Sequence, residues 1–181
     1  MRANGRLSLL VLTLCTAAVF AQDTPEPGSA EEISRATTEP QFLSPWVASI
    51  PASASVPSPR AFLKRIPGAA GELVDSATAY GYARALAAAS PRVEVFTIGR
   101  SEEGRDIVLL AIADEAGIQS LAQLKNDTAA LADPRTTDSA AAEQIVARAR
   151  PIYYFNAALH SDETGSTESC LLYTSPSPRD S

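Results

Sequence analysis

Apolar positions are unevenly distributed along the chain, and their spacing changes character several times. Residues 7–20 form a nearly unbroken apolar run. Residues 22–58 hold few large apolar groups and six prolines, Pro25, Pro27, Pro40, Pro45, Pro51 and Pro57. From Pro59 onward the pattern is that of a folded domain. Residues 60–66 predict a short helix closed by Pro67-Gly68. A second helix, capped by Asp75 or Ser76, is predicted through Ala89, with Tyr82, Leu86 and Ala89 on one stripe and Pro91 as its stop. Residues 93–98 are rich in β-branched and aromatic side chains and predict a strand. Residues 107–113 are almost continuously apolar, which predicts a strand covered on both faces. The connection between them carries Gly99, Gly104 and several charges and predicts a hairpin with a solvated tip.

The second half continues the alternation. Leu121, Leu124 and Leu131 recur at helical spacing within residues 118–132, and Asp133-Pro134 ends that run. Residues 140–149 are alanine-rich and predict a helix with Ile145 and Val146 on its buried side. Residues 152–159 read Ile-Tyr-Tyr-Phe-Asn-Ala-Ala-Leu, a third strand apolar on both faces, and His160 follows at its carboxyl end. The order predicts an α/β fold: a mixed sheet with helices on both faces and an antiparallel hairpin at one side. In such sheets ligands bind outside the carboxyl ends of the strands, which is where His160 falls.

Composition narrows the field. The chain has 181 residues, 45% of them apolar and 20% charged, with a formal net charge of −6. That is ordinary for a globular protein, and it lacks the basic face that nucleic-acid binding needs. The apolar run 7–20 follows Arg2 and Arg6, is shorter than the roughly 20 residues of a membrane span, and leads to Val19 and Ala21 at the −3 and −1 positions of a cleavage site. Residues 1–21 are therefore expected to be a signal peptide. The mature protein is expected to be exported, periplasmic or secreted, without stable membrane association. Residues 22–58 are expected to be a linker or loosely attached leader, because they bury too little to offset their ordering entropy. The apolar patch Phe42, Leu43, Trp46 and Val47 is a candidate to dock on the domain. The two cysteines, Cys15 and Cys170, both fall outside the expected domain at residues 59–169. That domain then holds neither a disulfide nor a thiolate metal site. Asn126-Asp127-Thr128 is a formal glycosylation sequon, taken as incidental.

The candidate chemistry is at His160-Ser161-Asp162-Glu163. His160 is the one histidine of the chain. A spacing of three lets a single turn bring its imidazole and the Glu163 carboxylate to one point, and both donor types suit Zn²⁺. The competing reading is a ring that hydrogen-bonds a neighbouring carboxylate at a strand end. Asp162 is either a further oxygen ligand, a solvated side chain or a group that orients the ring.

Two stretches in this order resemble the zinc carboxypeptidases, the carboxypeptidase A-like metallopeptidases. Residues 96–107 contain Gly99-Arg100-Ser101-Glu102-Glu103-Gly104-Arg105, similar to that family's first hairpin. The strand 152–159 running into His160-Ser161-Asp162-Glu163 is similar to its metal-binding His-x-x-Glu loop. The resemblance spans residues 59–169, the N-terminal part of such a domain. It implies that His160 and Glu163 bind one Zn²⁺, that the substrate is a peptide, and that the reaction is hydrolysis of its C-terminal peptide bond. Gly99, Gly104 and Arg105 are expected to be structural.

The chain departs from the family in lacking a second His ligand, and no general-base Glu or carboxylate-gripping Arg can be carried over. By itself it is expected to be inactive. Two further readings stay open: a zinc-dependent amidohydrolase or deacylase of the same superfamily, and a non-catalytic exported binding module. Residues 170–181, with Pro176 and Pro178, look like the translation of a transposon adapter used in sequencing libraries and are expected not to continue the preceding helix. The underlying DNA tests that expectation.

Overall fold

The computed structural model describes residues 24–160 and 162–174. The expected signal peptide with Cys15, the end of the expected tail at residues 175–181, and Ser161 lie outside them. The chain is mixed α/β. In order it forms α1 (Ser29–Ala36), a 3₁₀ turn (Pro40–Phe42), α2 (Pro59–Leu63), α3 (Ser76–Ala89), β1 (Val93–Arg100) and β2 (Asp106–Ile112). These are followed by α4 (Glu115–Gln119), α5 (Leu121–Ala132), α6 (Ser139–Arg148) and α7 (Thr164–Tyr173). Among the described residues no helix is long and apolar enough to cross a membrane.

Caps set most of these boundaries. The Asp75 carboxylate accepts the Thr78 N–H at 2.7 Å, Asp114 accepts from Gly117 at 2.6 Å, and Asp138 accepts from Ala141 at 2.8 Å. Each satisfies a donor that the first turn of a helix leaves unpaired. The hydrogen bond to the Thr78 N–H holds the Asp75 carboxyl below its usual range, and that from the Arg150 guanidinium does the same for Asp114. Ser58 caps α2 through Ala61, and α2 stops at Lys64, which turns left-handed at φ 63°. The helix expected over residues 118–132 is two helices: Asp114 starts the chain earlier, and the backbone breaks from helical angles at Ser120.

The hairpin forms as predicted, with Val93 opposite Ile112 and Arg100 opposite Asp106, and an irregularity between Thr97 and Gly99. Its tip closes through Gly104, whose φ of 75° is a conformation glycine adopts without steric cost. Two expectations fail here. Residues 152–159 join no ladder among the described residues, and Tyr153 is 89% exposed. Strand propensity forms a ladder only where a neighbouring strand supplies the partners. The second strand is only half covered for the same reason, since a two-stranded ribbon with α3 against it has an open face. Ile107 and Ile112 are exposed. On α6, Ile145 is buried but Val146 is 64% exposed. Adjacent helical residues point about 100° apart, and the contact with α5 is narrow.

Residues 24–58 are more folded than their composition implies. Glu26 and Ala52 pair their backbones with Ile50 and Thr24 at 2.7 and 2.8 Å, around an isolated bridge between Pro25 and Pro51. The buried Ser29 hydroxyl accepts the Ile50 N–H at 3.1 Å. Arg60 donates two hydrogen bonds to Glu32 and one to Glu26 at 2.8 Å, and these bonds, those to Glu32 foremost, hold the guanidinium pKa above its ordinary value. Of the expected docking patch, Leu43 packs against the core, while Phe42 and Trp46 stay exposed.

Two apolar clusters make the core. Ile33, Ile50 and Ile66 form one, with Leu43 and Leu172 against it. Tyr82, Leu86 and Leu171 form the other, with Phe62, Val74 and Val93 among its neighbours. Phe62 and Tyr82 meet ring to ring at 5.3 Å. Helix α7 supplies a residue to each cluster. It continues through Cys170, Leu171 and Leu172, against the expectation that the helix would stop at Ser169. The reason is that Pro176 lies beyond the helix end, and the intervening Leu-Leu pair is what the two clusters need.

Candidate metal centre

Helix α7 also positions the candidate chemistry. Its N-cap residue is Glu163. Ahead of it the chain turns left-handed at Ala158 with φ 56°, and bends at Leu159 and His160. The Glu163 N–H donates to the His160 carbonyl at 3.2 Å, which closes the turn. The two side chains then meet, His160 Nδ1 to Glu163 Oε1 at 2.9 Å, with 65% and 55% of the side chains exposed. The spacing of three does bring them to one point. Asp162, between them, is exposed.

A single hydroxyl braces this turn. Ser166 Oγ accepts the Ala158 N–H at 2.7 Å and donates to the Glu163 carbonyl at 2.7 Å. Two residues on, the buried Glu168 carboxylate accepts from the Arg65 guanidinium at 2.9 and 3.3 Å, from the Gly68 N–H at 2.9 Å and from the Val74 N–H at 2.8 Å. Burial pushes the Glu168 pKa up. The hydrogen bonds from Arg65 and Gly68, the Arg65 charge and the Val74 bond pull it down and prevail, so it stays ionised below the usual range. Sequence reading passed over both residues. Glu168 had a signal, a lone carboxylate three and four positions before Leu171 and Leu172; Ser166 had none beyond its place in the first turn of a helix.

The pair fits part of a zinc site. Imidazole nitrogen and carboxylate oxygen are both zinc donors, and bonds near 2.1 Å in a tetrahedral shell hold two donors about 3.4 Å apart. A contact of 2.9 Å on an exposed turn is within a small rotation of that span. Among the described residues no group of three or more His, Cys, Asp or Glu side chains converges on a metal position. Cys170 is not such a donor: it is a free thiol on α7, half-buried, its pKa raised by burial. The hairpin residues stay apart from the pair's chemistry, Arg105 forming an exposed ion pair with Glu103 at 2.7 Å.

No curated protein and no solved structure matches the chain. The zinc carboxypeptidase family model matches residues 79–175, from within α3 to just past the end of α7. That match covers more than half of the 181 residues and takes in the hairpin, the His160–Glu163 turn and the helix behind it. The chain therefore belongs to the zinc carboxypeptidase family.

Proposed function

We propose that this chain carries part of the active site of an exported zinc carboxypeptidase, a hydrolase that removes residues from the C-termini of peptides, with His160 and Glu163 as two zinc ligands. Export is supported by the n-region, apolar run and small-residue cleavage site of residues 1–21. The observation that carries the assignment of the site is the 2.9 Å approach of His160 Nδ1 to Glu163 Oε1 in the stretch the family match spans.

When bound, zinc supplies Lewis acidity, lowering the pKa of water and polarising a scissile carbonyl. The work of this chain's residues is to present the two donors together. The closed turn fixes their separation, α7 fixes the turn, and exposure of both side chains leaves room for a substrate and further donors. His160 is the one imidazole of the chain, so a second must come from elsewhere, and zinc held by two side chains is held weakly. The chain alone is expected to show no peptidase activity.

That His160 is unique makes the test direct, because the ring gives one set of imidazole resonances. Zinc titration should shift them with weak affinity, and the response should vanish in His160→Ala and shrink in Glu163→Gln. A ring that merely hydrogen-bonds Glu163 would bind zinc no more tightly in the parent than in Glu163→Gln, and that outcome would sink the assignment.

A further inference from the structure

The residues that place the metal pair include one that touches no metal. Ser166 is half-buried on the first turn of α7, outside both apolar clusters. A serine hydroxyl has one proton to give and two lone pairs to receive with. Ser166 gives its proton to the Glu163 carbonyl and receives the Ala158 N–H, each at 2.7 Å. Ala158 lies two residues before His160, and Glu163 is the other half of the pair. One side chain thus closes residues 158–166 into a ring that contains both donors.

The Ala158 backbone shows why the loop needs such a bond. Its φ of 56° is a conformation that residues with a Cβ avoid. Residues held there persist only where the surroundings impose it. Among the described residues the stretch before it joins no strand ladder. The helix behind Ser166 is by contrast fixed, since Glu168 is bound from three sides and Leu171 and Leu172 are packed.

We infer that Ser166 is a positioning residue for the His160–Glu163 pair, its hydroxyl carrying the rigidity of α7 across to the loop so that both donor atoms face one point. This rests on the reading of the pair as zinc ligands, and the experiment separates the two. Four forms of the intact chain are compared: the parent, Ser166→Ala, Ser166→Thr and His160→Ala. Amide hydrogen exchange at Ala158 is measured without metal, and Zn²⁺ affinity is followed by the His160 ring resonances, or by calorimetry where the ring is absent. Circular dichroism checks that the helices are kept.

Ser166→Ala should lose protection at the Ala158 amide and bind zinc about tenfold more weakly, the lower end of what loss of an outer partner of a ligand costs. Ser166→Thr, which keeps a hydroxyl able to bond a carbonyl one turn back, should restore both. The inference is overturned if Ser166→Ala keeps the Ala158 protection. It is equally overturned if that variant keeps the parent's zinc affinity while His160→Ala has lost it, an outcome that leaves the ligand assignment standing. Undiminished zinc binding by His160→Ala would instead sink the ligand assignment, and the positioning role with it.

Discussion

Replacing Glu168 by alanine removes a carboxylate that is 4% exposed and accepts from two backbone N–H groups and both terminal nitrogens of Arg65. The Gly68 and Val74 N–H groups would lose an acceptor at part-buried hydrogen bonds. Each such orphan costs about 1–3 kcal/mol, and breaking a buried ion pair by removing one partner costs about 3–5 kcal/mol. These ranges describe the same loss and are not added. Arg65 has an outlet, because its Nε lies 3.3 Å from the exposed Glu72 carboxylate. The low end, about 3 kcal/mol, is therefore expected. For a chain of this size that lowers Tm by about 6–12 °C, read by far-ultraviolet circular dichroism at neutral pH. Glu168→Gln keeps the shape and one acceptor and should fall between. The double change Arg65→Met/Glu168→Met should cost less than Glu168→Ala alone, since both charges leave together.

The pH dependence has a definite sign. Glu168 is held below its ordinary 4.5 in the folded chain. Its contribution is thus fully present above about pH 4.5 and is lost as pH falls through the lower folded value. The stability gap between parent and Glu168→Gln should be widest near neutrality and close in acid. A cost under about 1 kcal/mol for Glu168→Ala, against the 3 expected, or a gap that stays constant down the acid limb, would refute the buried, ionised placement of this side chain.

Two other expected outcomes test the same architecture from its edges. Leu171→Ala should destabilise by about 2–5 kcal/mol in denaturant unfolding, the cost of truncating a buried leucine; a surface-like value would mean that the end of α7 does not pack on Tyr82 and Leu86. Arg60→Ala unties Glu26, Glu32 and the Pro27 carbonyl together, so the Ile50 amide should exchange faster while amides in the middle of α3 do not. Equal exchange at Ile50 in parent and variant would count against Arg60 as the fastener of residues 24–58.

What the sequence made legible follows from range. Caps and helices are local, and Asp75, Asp114 and Asp138 lie where short-range chemistry requires them, although Asp114 and Asp138 were not singled out beforehand. The hairpin was legible because its turn, its glycines and its two strand-forming runs are contiguous. The His160–Glu163 contact was legible because a separation of three residues closes in one turn. Residues 152–159 misled because apolar β-branched and aromatic content reports affinity for a sheet, and a ladder partner is a matter of distant chain. The segment 24–58 misled for the opposite reason. Its average composition is that of a linker, but two isoleucines and one remote arginine suffice to seat it. Glu168 combined both difficulties, since its partners at Arg65, Gly68 and Val74 lie some hundred positions away.

Helix α7 shows how the local and the distant parts meet. At about 100° per residue, Glu163 and Ser166 fall within about 60° of each other, whereas Glu168, Leu171 and Leu172 cover about 100° on the opposite side. One face is turned to the His160–Glu163 loop and the other to the core, so the helix passes the order of the core to a loop that joins no ladder among the described residues. Loosening the core face should then loosen the pair. On this reasoning Glu168→Ala, which touches neither donor, should weaken zinc binding at temperatures where its helices are still formed. Leu171→Ala should do so less, because it removes packing at the far end of α7 and leaves the Glu168 bonds nearest the loop in place.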